Sequence, residues 1–241
     1  MTTLRSIVFL LGSLAITAVF GFLVPGGMVV GFRGAAWMAR TYTRIMLKWV
    51  EWSLGIHYDV KGWENVPRHP VIVMAKHQSA WETLFMEASF PAQCWIVKKE
   101  LLWLPFVGWS LMAIRAIAID RSSGTSAREQ IVEKGGLRLK QGMWVSIFPE
   151  GTRTAPGKAG RYGIGGALLA TRTGTPILPI AHNAGEYWPR YAFRKYPGRV
   201  QVVIGPLIQT EGRDVLSVNN EVQAWIEARM REISPERYAA A

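Results

Sequence analysis

The amino-terminal segment constrains the fold most, because 27 consecutive residues, 6–32, carry no charge. Within it, residues 7–24 read IVFLLGSLAITAVFGFLV, 18 mostly aliphatic or aromatic positions. A helix of that length can cross the apolar core of a bilayer. A cleaved signal peptide fits less well, since no small-x-small cleavage site follows the long apolar run. A buried core helix is the other alternative. We predict a membrane-embedded helix, spanning or re-entrant, that Pro25, Gly26 and Gly27 end.

The next segment has the pattern of a basic amphipathic helix. If residues 33–55 turn by about 100° per residue, apolar and basic side chains fall on opposite faces. The apolar face holds Met38, Tyr42, Ile45, Trp49 and Trp52, and the basic face holds Arg33, Arg40, Arg44 and Lys48. This pattern is typical of a membrane surface, although a helix packed on its own domain with a solvated basic face would share it. The basic residues follow the apolar segment, so we expect the main domain on the cytoplasmic side of the inner membrane.

Charge and cysteine content restrict the partners. The net charge of +11 favours an anionic membrane surface, phosphorylated substrates or nucleic acid. The excess is spread along the chain rather than gathered in a motif, so we do not expect nucleic-acid binding. A single cysteine, Cys94, excludes an intramolecular disulfide, and we expect it buried and inert. The histidines are scattered without ligand spacing, so we expect no metal site.

From residue 56 onward, β-rich runs alternate with helical segments. The strand candidates are IHYDVKG, VIVMAK, CWIVKK, AIAID, WVSIFP, PILPIA and VQVVIG. The helix candidates are TLFMEASF and residues 126–141, 165–173 and 218–233. This alternation predicts an α/β domain with a mixed central sheet flanked by helices. We divide the chain into an anchor with the amphipathic helix (1–55), a catalytic domain (56–210) and a C-terminal helix and tail (211–241).

The stretch MAKHQSAWET places an imidazole just before a helix start. Ser79 and Glu82 match a capping box, which explains Glu82 without catalysis. If His77 lies in the preceding loop, its ring can fold back onto the first turn and meet the Glu82 carboxylate. One ring nitrogen would then be held by Glu82, and the other would be left as a proton acceptor.

Two further stretches place polar groups at strand ends, where α/β sheets commonly bind ligands. In SIFPEGTRT, Gly151 permits close backbone approach and Arg153 offers a planar fork suited to phosphate. In the second stretch, Lys98 and Lys99 end one strand and Asp120 with Arg121 ends another. Solvated polar turns are the alternative for both stretches.

Together these stretches resemble the glycerolipid acyltransferase family, in particular the bacterial 1-acylglycerol-3-phosphate (lysophosphatidic acid) acyltransferases. The similarity covers roughly residues 66–206 and rests on four ordered blocks. They are His77 with Glu82; Lys98, Glu100 and Leu101 through Asp120–Arg121; Phe148 to Arg153 in full; and Leu178, Pro179 and Ile180. The sequence departs from the family at Glu82, where the family usually has Asp, and at Gly163, where relatives often carry a basic residue and Arg161 lies nearby.

The resemblance implies transfer of an acyl chain from a thioester to the sn-2 hydroxyl of 1-acyl-glycerol-3-phosphate, giving phosphatidic acid in phospholipid biosynthesis. His77 would be the general base and Glu82 its orienting partner. The implied phosphate and glycerol contacts are Lys98, Arg121, Glu150, Gly151, Thr152 and Arg153. The co-substrate would be acyl-coenzyme A or acyl carrier protein, with no bound cofactor.

Other functions remain open at this point. Another lysolipid, such as lyso-ornithine lipid, is the alternative acceptor. A non-catalytic basic membrane-associated binding protein is the alternative from a different class. A serine hydrolase is disfavoured because the sequence has no Gly-x-Ser-x-Gly motif.

Overall fold

The computed structural model describes residues 1–120 and 123–239. These residues form a seven-stranded sheet in the order β1-β7-β6-β2-β5-β3-β4. The strands are β1 (Ile56–Lys61), β2 (Ile72–Ala75), β3 (Gln93–Lys98), β4 (Ile117–Ile119), β5 (Trp144–Ile147), β6 (Ile177–His182) and β7 (Gly198–Ile204). The helices are α1 (Thr2–Gly26), α2 (Phe32–Leu54), α3 (Trp81–Ser89), α4 (Val107–Ala113), α5 (Thr125–Lys140), α6 (Gly165–Thr173), α7 (Val215–Ile233) and α8 (Pro235–Ala239).

Strand pairing brings the motif-bearing loops to one edge of the sheet. β2 pairs in parallel with β5, where Met74 is level with Ile147, and with β6, where Ala75 is level with Ile180. Because these strands run in the same direction, the loops after β2 and β5 emerge side by side. The pairing of β6 with β7 is antiparallel, so the sheet is mixed, as the sequence predicts.

Helices cover both faces of the sheet. One apolar core joins α1, α2 and α3 to the sheet, and a second joins α5, α6 and α7 to its other face. The central strands β2 and β5 are buried along their whole length, which explains their nearly continuous apolar sequences. The sheet edge that carries the loops after β2 and β5 therefore lies on a scaffold packed from both sides.

Helices α1 and α2 form an antiparallel hairpin. Trp49 Nε1 donates to the carbonyl oxygen of Phe9 at 3.1 Å, and the Thr17 and Tyr42 hydroxyls lie 3.0 Å apart. Residues 2–30 are long and apolar enough to cross a membrane, and only 17% of the most apolar window is buried. Helix α1 therefore presents a largely uncovered apolar surface, as expected for a membrane-embedded helix.

Helix α2 packs on its own domain. Arg40 donates to the carbonyl oxygen of Phe90, and Arg44 Nε donates to that of Ala88 at 3.3 Å. These carbonyls end α3, where cations complement the helix dipole. The predicted basic face is thus partly engaged with α3 rather than wholly solvated. Trp52, from the predicted aromatic face, is 72% exposed and remains available to a membrane surface.

All seven predicted strands, the three predicted helices of the main domain and the predicted C-terminal helix are present, with ends shifted by a few residues. Helix α4 was not predicted, because its seven residues lie in an apolar stretch between two strands and show no polar face. The short helix α8 was also missed. The three-part division of the chain stays a prediction.

Candidate active site

His77 lies in the loop between β2 and α3, at the sheet edge where the loops after β2 and β5 emerge. Its Nδ1 is 2.8 Å from Glu82 Oε1, and its side chain is 15% exposed. The His77 ring stacks on the Phe148 ring, with centroids 3.9 Å apart and planes at 8°. Glu82 therefore holds one edge of the His77 ring, and Phe148 covers one face. With Nδ1 turned to Glu82, Nε2 is left as the nitrogen that can take a proton.

Glu82 serves both the helix start and the histidine. Its Oε1 also accepts from the backbone N–H groups of Gln78 at 3.0 Å and Ser79 at 2.9 Å. Burial alone would raise the pKa of the Glu82 carboxyl, but the His182 and His77 imidazoles, with hydrogen bonds from His77 and Ser79, outweigh burial and lower it. Only the Glu82 half of the predicted capping box is present, because Ala80 is the N-cap and the Ser79 hydroxyl accepts from the Trp81 backbone N–H at 3.2 Å. The His77 contact is present beside it, and Glu82 is ionised at neutral pH.

Glu150 fixes the main chain of the histidine loop. Its Oε2 accepts from the His77 backbone N–H at 2.8 Å, and its Oε1 accepts from Lys76 Nζ at 2.6 Å. Thr154 adds a backbone N–H to the His77 carbonyl oxygen at 2.8 Å. Gly151 follows Glu150 in the left-handed region, with φ of 66°, where a side chain would be strained. The Phe148–Arg153 turn therefore fixes the conformation of the loop that carries His77.

Lys76 links Glu150 to helix α7. The side chain is fully buried, and Nζ donates to Glu150, to Glu227 Oε1 at 2.8 Å and to the Lys158 carbonyl oxygen at 3.0 Å. Glu227, on α7, also accepts from the hydroxyl of Tyr162 at 3.1 Å. All three ammonium N–H groups thus find acceptors, as a buried charge requires.

A second histidine, His182, lies close to the His77–Glu82 pair. His182, at the end of β6, is 1% exposed, and its Nε2 donates to the Lys76 carbonyl oxygen at 2.7 Å. Its Nδ1 accepts from the Ala184 backbone N–H at 3.3 Å. Burial lowers the pKa of His182, against the pull of the Glu82 carboxylate 4.0 Å away. His182 is therefore neutral at neutral pH and supports the loop rather than exchanging protons.

An apolar cavity of about 480 Å³ opens beside His77. Helices α1, α2 and α4 and strand β3 line it with side chains such as Phe20, Met46, Trp95 and Leu111. Arg153 and Lys98 also line this cavity. The site thus combines a proton acceptor, two cations and a space of the size that ligand pockets commonly have.

The predicted site residues come together only in part. The structure brings together His77, Glu82, Glu150 and Gly151. Thr152 is exposed in the turn. Lys98 pairs with Glu100 at 3.2 Å near the surface. Arg121 lies outside the described residues. Sequence reasoning missed Lys76, His182 and Glu227. A lysine, a histidine and a glutamate at element ends or on a helix carry no local signal for burial.

The single cysteine, Cys94, is not a rival nucleophile. Burial raises the pKa of the Cys94 thiol to about 11, and its Sγ lies 3.1 Å from the Arg115 carbonyl oxygen. Cys94 is therefore buried and poorly nucleophilic, as the sequence predicts. Within residues 1–120 and 123–239, no group of three His, Cys, Asp or Glu side chains is arranged to hold a metal ion.

Comparison with known proteins gives consistent matches. A family model described as Acyltransferase matches residues 57–183. The 1-acyl-sn-glycerol-3-phosphate acyltransferase of Pseudomonas aeruginosa is 48% identical over 184 residues, covering 75% of this chain and 72% of the relative. The human 1-acyl-sn-glycerol-3-phosphate acyltransferase alpha is 31% identical over 199 residues, covering 80% and 70%. A crystal structure of the 1-acyl-sn-glycerophosphate acyltransferase of Thermotoga maritima shares the fold, with a TM-score of 0.79, 22% identity and coverage of 96% and 95%.

Proposed function

This chain belongs to the acyltransferase family, and from that premise we propose that it acylates 1-acyl-sn-glycerol-3-phosphate to phosphatidic acid. The observation that carries the proposal is the His77–Glu82 pair at the mouth of an apolar cavity that Arg153 and Lys98 also line. The names of the relatives support the acceptor. Cations beside the base also favour a phosphate acceptor over lyso-ornithine lipid, which has no phosphate.

In the proposed reaction, His77 Nε2 takes the proton of the sn-2 hydroxyl. The hydroxyl oxygen forms the new ester bond to the thioester carbonyl carbon, and the carbon–sulfur bond breaks. The leaving thiolate takes the proton back from the imidazolium. Glu82 fixes the tautomer that leaves Nε2 free, and its negative charge stabilises the imidazolium. A general base of this kind contributes about 10²- to 10⁴-fold to the rate.

The cavity provides a place for an acyl chain. Its walls are mostly apolar, and α1 and α2 form one side of it. Burial of chain methylene groups there stabilises binding by about 0.8 kcal/mol each. The acyl donor, acyl-coenzyme A or acyl carrier protein, would bring its thioester carbonyl to the cavity mouth near His77.

Membrane attachment follows from the same hairpin. Phe9, near the start of α1, meets Trp188 with ring centroids 5.0 Å apart, and Phe22, near its end, meets Phe106 at 5.3 Å. Because both ends of α1 contact the α/β domain, the helix lies along that domain with its uncovered apolar side chains facing lipid. In this arrangement a lysolipid would reach the cavity from the bilayer, with the domain on the cytoplasmic side of the inner membrane.

The proposal is tested by the acceptor dependence of thiol release. Detergent-solubilised protein is given an acyl-coenzyme A or an acylated acyl carrier protein, with lysophosphatidic acid, lyso-ornithine lipid or no acceptor. We expect release with lysophosphatidic acid and formation of phosphatidic acid. Faster release with lyso-ornithine lipid would refute the assigned acceptor, and an inert protein that binds anionic vesicles would favour the non-catalytic alternative.

A further inference from the structure

The loop of residues 189–197, which leads into β7, brings another basic side chain to the main chain of Arg153. Arg190 Nη1 donates to the main-chain oxygen of Arg153 at 2.6 Å. Its Nη2 lies 3.4 Å from the hydroxyl of Tyr191, and its guanidinium carbon lies 4.6 Å from the centre of the Tyr191 ring. Because Arg153 lines the same cavity as His77, this loop adjoins the reaction site.

Positive charges influence the ionisation of the Tyr191 hydroxyl. Its pKa is lowered, first by the hydrogen bond from Arg190 and the Arg190 charge, and further by the charges of Arg153 and Lys98. Arg190 therefore contacts this phenol directly, and Arg153 and Lys98 line the neighbouring cavity. Within the described part of the chain, the ion pairs include Lys98 with Glu100 but no carboxylate on Arg153 or Arg190. Like charges held together in this way favour an anion between them.

The backbone of Tyr191 is also unusual. Its φ of 58° lies in the left-handed region, which is uncommon for a bulky residue. The side chain is 83% exposed, so burial does not offset this strain. The conformation does place the ring against the Arg190 guanidinium. Strained backbone of this kind is concentrated at ligand-binding and active sites.

We propose that Arg190 and Tyr191 complete an anion site, with Arg153 and Lys98, that binds the phosphate monoester of the lysolipid acceptor. This inference rests on the proposed function. A phosphate monoester carries about −1.5 to −2 charges at neutral pH, and a diester carries less. Arg153, Arg190, a Lys98 that is shared with Glu100, and a phenol hydroxyl donor therefore favour a monoester over phosphodiester and zwitterionic headgroups.

Steady-state kinetics test the inference on Arg190→Ala, Arg190→Lys and Tyr191→Phe. Arg194→Ala is the matched control, since Arg194 is an exposed arginine of the same loop. Thiol release is measured in uncharged detergent micelles, so that an anionic surface does not contribute. The mole fraction of lysophosphatidic acid is varied at saturating donor, and the donor is varied at saturating acceptor.

We expect Arg190→Ala to raise the acceptor KM by at least about tenfold, as loss of a charge-assisted contact implies. The kcat and the donor KM should stay within about threefold of wild type, because Nε2 of His77 is untouched. The acceptor KM of Arg190→Lys should lie between those of wild type and Arg190→Ala, since a point charge replaces the planar fork of the guanidinium. Tyr191→Phe should raise the acceptor KM by a smaller factor, and Arg194→Ala should match wild type.

A rise in the donor KM alone would assign Arg190 to the phosphate of the donor and overturn the inference. Unchanged constants would also overturn it. A second measurement separates this site from the reaction: thermal stabilisation of the protein by glycerol 3-phosphate, with inorganic phosphate and dimethyl phosphate in parallel. Stabilisation by the monoester that Arg190→Ala abolishes would support the site even if acyl transfer were absent. Equal stabilisation of wild type and Arg190→Ala would refute it.

Discussion

Replacing Lys76 by methionine removes the cation that two buried carboxylates share. Lys76 Nζ lies 2.6 Å from Glu150 Oε1 and 2.8 Å from Glu227 Oε1, and the lysine side chain is fully buried. Methionine fills a similar volume but supplies no charge and no N–H group. Both carboxylates then remain in an apolar surrounding without their counter-charge.

The magnitude follows from the burial of the network. Removing one partner of a buried ion pair costs about 3–5 kcal/mol of stability. For a chain of this size, each kcal/mol lowers Tm by roughly 2–4 °C, so Tm should fall by about 6–20 °C. The variant should take up a proton on folding, because burial and mutual repulsion disfavour two charged carboxylates. Its stability should therefore fall further as pH rises, since its folded state binds more protons than its unfolded state.

Activity should also fall, because Glu150 accepts a hydrogen bond from the His77 backbone N–H in addition to the one from Lys76 Nζ. A displacement of the histidine loop by about 1 Å can cost 10²-fold in rate. We therefore expect kcat for thiol release to drop by about 100-fold, with a smaller change in the acceptor KM.

The assay is thermal unfolding of the solubilised protein at about pH 6 and about pH 8, combined with thiol-release kinetics. Lys134→Met is the control, since Lys134 is an exposed lysine on α5. Adding Glu227→Leu to Lys76→Met should restore part of the lost stability, because it removes one of the two unpaired carboxylates. A Lys76→Met variant with wild-type Tm and kcat would refute this account of the network.

Further predictions concern single side chains. Glu82→Ala should lower kcat by at least about 100-fold, beyond any loss of Tm, whereas Glu82→Asp should change kcat little; kinetics beside Tm check this. Arg153→Ala should raise the acceptor KM by at least about tenfold, and an unchanged dependence on acceptor concentration would contradict it. Burial raises the pKa of Glu87 to about 7 against hydrogen bonding from Trp95 and the Arg40 charge. Wild type should lose roughly 3 kcal/mol relative to Glu87→Gln between about pH 4.5 and about pH 7, because the unfolded chain releases this proton first. Equal pH dependence of Tm in the two proteins would contradict this assignment.

The local parts of the site could be predicted from sequence. Ser79, three residues before Glu82, marks a helix start, which places His77 in the preceding loop and its ring within reach of the carboxylate. The strand pattern also predicted that the Phe148–Arg153 turn follows a strand end, where α/β sheets commonly bind ligands. Both inferences depend on periodicity and on groups a few residues apart, which local sequence records well.

The long-range parts could not be predicted in the same way. Lys76 ends a strand, where a lysine is usually solvated, and its partner Glu227 lies 151 positions away on a helix with other charged residues. Arg190 lies in a loop outside the blocks of the family resemblance, and its relation to Arg153 depends on how the two loops fold. Such contacts are determined by tertiary packing, which one sequence without relatives does not record.

The most direct test of the account is thiol release by wild type and His77→Ala, with and without lysophosphatidic acid. We expect wild type to release thiol from the acyl thioester only when the acceptor is present. His77→Ala should retain the wild-type Tm within a few degrees and lose about 10²- to 10⁴-fold in rate. A folded His77→Ala protein with near wild-type turnover would contradict the assignment of His77 as the base, and acceptor-independent release by wild type would indicate a thioesterase.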